Sequence, residues 1–212
     1  MSRGRKKTEN PETAGRILSA AESYFAQHGL AGARTDEIAR AARVNKAMLY
    51  YYFQSKQRLH RAVLEHLFKE FRTAVYSQWK KTDPPRQRLL ALTSGYFDFL
   101  AAHPNYPRLM QREAMELSRN FEWILADYLG PFHEELSRTI RAGVASGEIR
   151  GVDADNTAFS ILGMTMSYFA AAPIFKLMIK RDPLSPAALA SRRQSLLDFL
   201  SHGLLPETEC AR

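Results

Sequence analysis

Cysteine is nearly missing from this chain of 212 residues: Cys210, close to the C-terminus, stands alone. An internal disulfide is impossible, and no cysteine-rich zinc site can form. Period-2 runs rich in Val, Ile and Thr are also missing, which argues against a sheet protein. GxSxG, P-loop, GxGxxG and HExxH signatures are absent. His60 and His66 stand six apart, off the helical metal-pair spacing, and the adjacent Glu134 and Glu135 diverge around a helix. No catalytic residue, metal or cofactor is therefore expected. The opening MSRGRKKTENPE has no apolar stretch after its basic residues, so it does not read as a secretory signal. A reducing cytoplasm is the expected home.

Acidic residues are also in deficit, and unevenly so. Residues 1–60 hold 11 Lys/Arg against 5 Asp/Glu, a net +6. Residues 61–212 hold 19 against 17, a net +2. A basic module on a near-neutral body suggests a head that binds a polyanion. Residues 156–175 carry no charge, about the ~20 residues that cross a bilayer. Asn156, Thr157, Ser160, Thr165, Ser167 and Pro173 interrupt that stretch. A helix buried inside protein explains it better, and no membrane association is expected.

The remaining pattern is helical. Ile17, Ala20, Ala21, Tyr24 and Phe25 form one helix face, ended by His28-Gly29. Thr35 is placed to cap a short helix over 36–42, and Asn45 another over 46–52. Ser55 caps a long helix reaching about residue 80, striped by Leu59, Val63, Leu67, Phe71 and Val75. Further helices are expected over 86–102, 107–117 and 119–146, the last interrupted at Gly130-Pro131. Asp153 or Asp155 starts the uncharged helix, which kinks at Pro173 and ends near Lys180. A last helix is expected over 187–201, with Gly203 after it. The fold class is all-α. The expected division is a helix-turn-helix head over 1–57, a larger helical domain over 58–206 and a loose tail over 207–212.

The second and third helices are joined by only a few residues, a helix-turn-helix arrangement. Leu49 and Phe53 share one side, which Ile38 and Val44 join to make a core. Lys46 and Tyr50 share another, and Asn45 and Lys46 sit at the N-terminus, where a groove-reading helix meets bases and phosphates. The pattern points to DNA binding.

RILSAAESYFAQHGLAGARTDEIARAARVNKAMLYYYFQSKQRLHRAVL, residues 16–64, resembles the N-terminal domain of the TetR family of bacterial transcriptional regulators. The specific parts are ILxAAxxxFAxxG, a Thr followed by IAxxA, VxK, and LYYYFxSKxxL. The resemblance implies an all-helical homodimer with a DNA-binding head and an effector-binding, dimerising body. It also implies repression of a double-stranded operator, relieved by a small molecule. Thr35 matches the capping residue that touches a phosphate, and Lys46 and Ala47 match the common Lys-Gly opening of the recognition helix. Tyr50 matches the tyrosine that meets the DNA backbone, Tyr51 lies near the base-facing side, and Lys56 matches a phosphate-contacting lysine. Arg43 occupies a turn position often held by glycine; if left-handed it costs about 1 kcal/mol but adds a cation near DNA. Asn45 completes the candidate DNA-binding set. The basic segment Arg3-Gly4-Arg5-Lys6-Lys7 suits a minor-groove arm. The rival reading is an architectural binder indifferent to sequence.

The body resembles the family more loosely, through HPNYPRLMQREAMELS and GEIRGVDADNTA. Phe97, Tyr106, Met110, Phe121, Trp123, Phe132, His133, Met164 and Tyr168 are the candidate walls of an effector pocket. Their bulk and softness suit a hydrophobic or aromatic ligand. Ile161, Thr165 and Phe169 stripe the uncharged helix, and Leu196, Leu197, Leu200 and Phe199 stripe the last one. Those stripes are the candidate dimer interface, two helices from each copy.

Overall fold

The computed structural model describes residues 10–116 and 119–204. The basic arm at residues 3–7, Cys210, the tail at 207–212 and the end of the helix expected over 107–117 lie outside them. Every regular element among the described residues is helical. The head consists of α1 (Pro11–Gly32), α2 (Thr35–Ala41) and α3 (Lys46–Phe53). The body consists of α4 (Lys56–Tyr76), α5 (Pro85–Ala102), α6 (Tyr106–Glu116), α7 (Arg119–Ile124), α8 (Gly130–Ser146), α9 (Ala154–Ala170), α10 (Ala172–Ile179) and α11 (Pro186–Leu204).

Side-chain caps fix several of the starts. Oxygens of Asn45, Ser55 and Asp153 accept from the backbone N–H groups of Met48, Arg58 and Asn156 at 2.7, 3.1 and 2.7 Å. Each satisfies a donor that the first helical turn leaves bare. Asn10 does the same for α1 through Glu12 at 3.0 Å. Thr35 departs from expectation. It is the first helical residue of α2, behind an N-cap Arg34 that makes no side-chain bond. The long helix stops at Tyr76 rather than near 80, and the last one runs through Gly203 to Leu204.

Two helix breaks shape the body. Gly130 N–H reaches back to Leu125 O, closing a π turn over Leu125–Leu129 between α7 and α8. A side chain at Gly130 would put its Cβ 2.7 Å from that same oxygen, so the wide turn and the glycine go together. The uncharged stretch bends by 63° between α9 and α10, just before Pro173. Among the described residues no single helix is long and apolar enough to cross a membrane, although this bent pair would be by length and composition.

A continuous apolar core runs from Ile17 in the head through Leu67, Phe68 and Phe71 of α4 to Leu200 and Leu204 in α11. Helix α4 belongs to both parts. Its closest neighbour is α5: a Cβ on Gly95 would lie 2.7 Å from Ala74 O and 2.9 Å from Val75 Cα. Only glycine lets the two backbones approach so closely.

Candidate nucleic-acid interface

The head builds its outer face from one short turn. Arg43 adopts φ 56°, and the N–H of Val44 donates to Ala39 O at 3.0 Å, turning the chain tightly from α2 into α3. Leu49 is then fully buried, with Ile38 and Ala39 of α2 beneath it and Val44 and Phe53 half-buried alongside. The opposite side of α3 faces solvent. Asn45, Lys46, Ala47, Tyr50 and Tyr51 are all exposed there, Tyr51 by 51%. An apolar inner side and a hydrogen-bonding outer side on eight residues is the geometry a major groove accepts.

That face is organised before any ligand arrives. Lys46 Nζ lies 2.9 Å from Asp36 Oδ1, and this contact raises the ammonium above its ordinary value. Thr35 Oγ1 and Tyr50 Oη are 3.3 Å apart, linking α2 to α3. Tyr51 packs edge-on against Tyr52. Asn10 N–H donates to Tyr52 Oη at 2.9 Å, so α3 is also held to the start of α1. Nothing in the sequence pattern distinguished Tyr52, the buttress, from its two exposed neighbours.

Lys56 is differently engaged. Its ammonium donates to Ala31 O at 3.1 Å and Ala33 O at 3.2 Å, carbonyls at the end of α1. Arg112 of α6 caps the carbonyls just before them: Nε donates to Ala26 O at 3.1 Å and Nη2 to Gln27 O at 2.7 Å. The helix breaks between these anchors at Gly29, φ 68° and ψ 175°. Asn105, just before α6, donates to Glu22 and Ser23 of α1 at 3.3 Å. Beneath them His60 Nε2 lies 3.2 Å from Glu113 Oε1, both buried, with Phe25 edge-on to the imidazole. One cation of α4, one cation of α6 and a buried imidazole–carboxylate contact thus join head to body.

The candidate pocket residues sit elsewhere than expected. Phe97, Tyr106, Met110 and Phe132 are buried in the core. Phe97 meets Phe169, Tyr106 meets Phe68 and Phe99, and Phe132 meets Phe71 and Tyr96, at ring separations of 4.9–6.0 Å. Trp123 lies under the Arg61 guanidinium at 3.3 Å. His133 stacks near Phe159, and Tyr168 donates to Pro183 O at 2.7 Å. Met164 borders a small cavity of about 190 Å³, and Phe121 is half-buried on α7. None of the nine lines a cavity of about 840 Å³ between α4 and the π turn. Lys69, Arg72, Thr73 and Tyr76 form one wall of it, with Asp127, Tyr128 and Pro131 opposite and Phe71 between. The four α4 residues follow the i, i+3, i+4, i+7 spacing of a helix face. That spacing was legible in the sequence; the π turn opposite was not.

The candidate interface stripe packs mostly within its own chain. Ile161, Thr165, Phe169, Leu196 and Leu200 are buried against their own chain, and Leu197 is half-buried. A helix's main apolar stripe is taken first by its own domain. The exposed sides of α9 and α11 carry Phe159 at 63% and Phe199 at 65%. Helix α10 adds exposed Ile174, Leu177, Met178 and Ile179.

Comparison with known proteins places these features in context. Residues 17–63 match the family described as bacterial regulatory proteins, tetR family. Residues 85–200 match the tetracyclin repressor-like C-terminal domain. The chain is 35% identical over 147 residues to the HTH-type transcriptional repressor SCO4008 of Streptomyces coelicolor, covering 69% of this chain and 70% of that protein. It is 31% identical over 140 residues to the HTH-type transcriptional repressor NicS of Pseudomonas putida, covering 63% of this chain and 64% of that one. Its fold matches AibR, solved in complex with isovaleryl coenzyme A and operator DNA, with TM-score 0.73 and 22% identity. That match covers 88% of this chain and 97% of AibR.

Proposed function

The chain belongs to the TetR family of DNA-binding transcriptional regulators, and we propose that it works as a homodimeric, cytoplasmic repressor with no catalytic activity. The outer face of α3 carries the reading: Asn45, Lys46, Ala47, Tyr50 and Tyr51 are exposed together on a rigid, pre-braced helix. Two such helices enter successive major grooves of an inverted repeat, about 34 Å apart for a simple site. Thr35, Arg43 and Lys46 lie where phosphates pass. Lys56 contributes through α1, whose end it holds, and offers its remaining N–H to the backbone. The partner copy covers Phe159 and Phe199 on α9 and α11. An apolar or aromatic effector in the body favours a state whose heads are wrongly spaced, and so empties the operator.

Selection of genomic fragments by the purified protein at about 150 mM salt tests this, because phosphate-only binding is weak there. Enrichment of an inverted repeat is expected. Equal recovery of every sequence, or of none, overturns the reading; the first outcome would indicate an architectural DNA binder.

A further inference from the structure

The 840 Å³ cavity between α4 and the π turn has the size of a small-molecule site. Its chemistry is uneven. Tyr128 offers ring surface, Pro131 closes one end, and Phe71 lies fully buried behind the α4 wall. Lys69 and Arg72, one helical turn apart on α4, bring two positive charges to the same wall, and neither is ion-paired among the described residues. Asp127 supplies a single opposing charge from the π turn, leaving the wall net positive. Wide turns of this kind recur at functional sites, because the extra residue swings side chains out of the helical register. Here that turn is what aims Asp127 and Tyr128 at α4.

We propose that this cavity is the effector site and that its ligand is an amphipathic organic anion, an aromatic or apolar body bearing one acidic group. The inference rests on the regulator reading and names the ligand class of its body. The acidic group sits between Lys69 and Arg72, away from Asp127. Arg72 provides a planar fork for two acid oxygens, and Lys69 a compact charge. Tyr76 borders the same wall, and its phenol, protonated at neutral pH, is placed to donate a hydrogen bond there. The apolar body lies over Tyr128 and Pro131. Because Tyr128 stacks on Phe68 at 4.4 Å, a ligand pressing there acts on the α4 segment that continues into the head.

Anilinonaphthalene sulfonate, an aromatic monoanion, and its uncharged relative phenylnaphthylamine make the test. The full-length protein is expected to bind the anion saturably. Replacing both Lys69→Ala and Arg72→Ala should weaken the anion at least tenfold and leave the neutral probe within twofold. Asp127→Asn should tighten the anion several-fold and leave the neutral probe within twofold, a split that apolar surface exposed by a loosened fold would not produce. Unsaturable anion binding, equal loss of both probes, or weaker anion binding by Asp127→Asn would each overturn the assignment. Operator binding by the same variants is measured in parallel and should stay at the wild-type level. If it stays while the probe results fail, the ligand class is wrong and the regulator reading stands. If the wild type selects no operator while the probes behave as expected, the reverse holds.

Discussion

Replacing Gly95 by alanine should drive α4 and α5 apart. The new Cβ would begin 2.7 Å from Ala74 O and 2.9 Å from Val75 Cα, both backbone atoms of a helix that cannot turn aside as a side chain would. Relief needs a shift of about half an ångström along a packed interface. Overpacking of this kind costs about 1–3 kcal/mol. Alanine returns about 0.5–1 kcal/mol through its better helix propensity. The net loss is then up to about 2.5 kcal/mol, lowering Tm by up to about 10 °C at the 2–4 °C per kcal/mol usual for a chain of this size. Gly15 is the control. It also lies inside a helix, but a Cβ there meets nothing within 4 Å. Gly15→Ala should raise Tm by about 1–4 °C from propensity alone. Scanning calorimetry of both variants at one protein concentration decides. If Gly95→Ala melts as high as Gly15→Ala, the close approach of α4 and α5 is not what the geometry says.

Removing the Arg112 guanidinium leaves the Ala26 and Gln27 carbonyls without their fork. Arg112→Ala should cost about 1–3 kcal/mol in urea unfolding, and Arg112→Lys should restore only part, since an ammonium cannot span both acceptors in a plane. Asp36 lies 2.9 Å from Lys46 on the face proposed to meet DNA. Asp36→Asn should tighten binding to operator and random DNA alike in a gel-shift titration; a gain restricted to the operator would refute a purely electrostatic role. Phe159→Glu combined with Phe199→Glu should yield a folded monomer by sedimentation, with weakened operator binding; an unchanged dimer would move the interface elsewhere. Burial holds the Glu22 carboxyl above its ordinary value of 4.5, against the pull of the Asn105 hydrogen bond. A raised carboxyl binds its proton more tightly folded than unfolded, so the ionised group costs stability at neutral pH and the cost disappears below about 4.5. Glu22→Gln should therefore stabilise the protein at pH 7 in urea titrations and lose that advantage at acid pH.

The helix starts were legible because a cap is a local event: Asn45, Ser55 and Asp153 each need only the neighbour three residues on. The outer face of α3 was legible for a related reason, since eight residues with one buried leucine leave few ways to orient the rest. The cavity was not. Phe97 and Phe132 carry the same size and spacing whether they line a void or fill one, and the packing of α5 against α8 and α9 decided for filling. The interface stripe is ambiguous in the same manner. Leu196 and Leu200 satisfy any apolar neighbour, and their own chain is always nearer than a partner. Arg112 reads from the sequence as a polar group for the effector pocket; its capping of α1 was not legible, because the acceptors are carbonyls some 85 residues away, which leave no mark in side-chain pattern.

The double capping of α1 bears on how such a regulator could be rewired. A natural cut for grafting a new DNA-reading module falls near residue 57, where α4 begins. A module cut there would keep the Lys56 contacts and lose Arg112, arriving with Ala26 and Gln27 bare. Its orientation would then be set by chance contacts with the recipient. A working chimera needs the arginine of α6, and the residues that place it, transplanted along with the helices it holds.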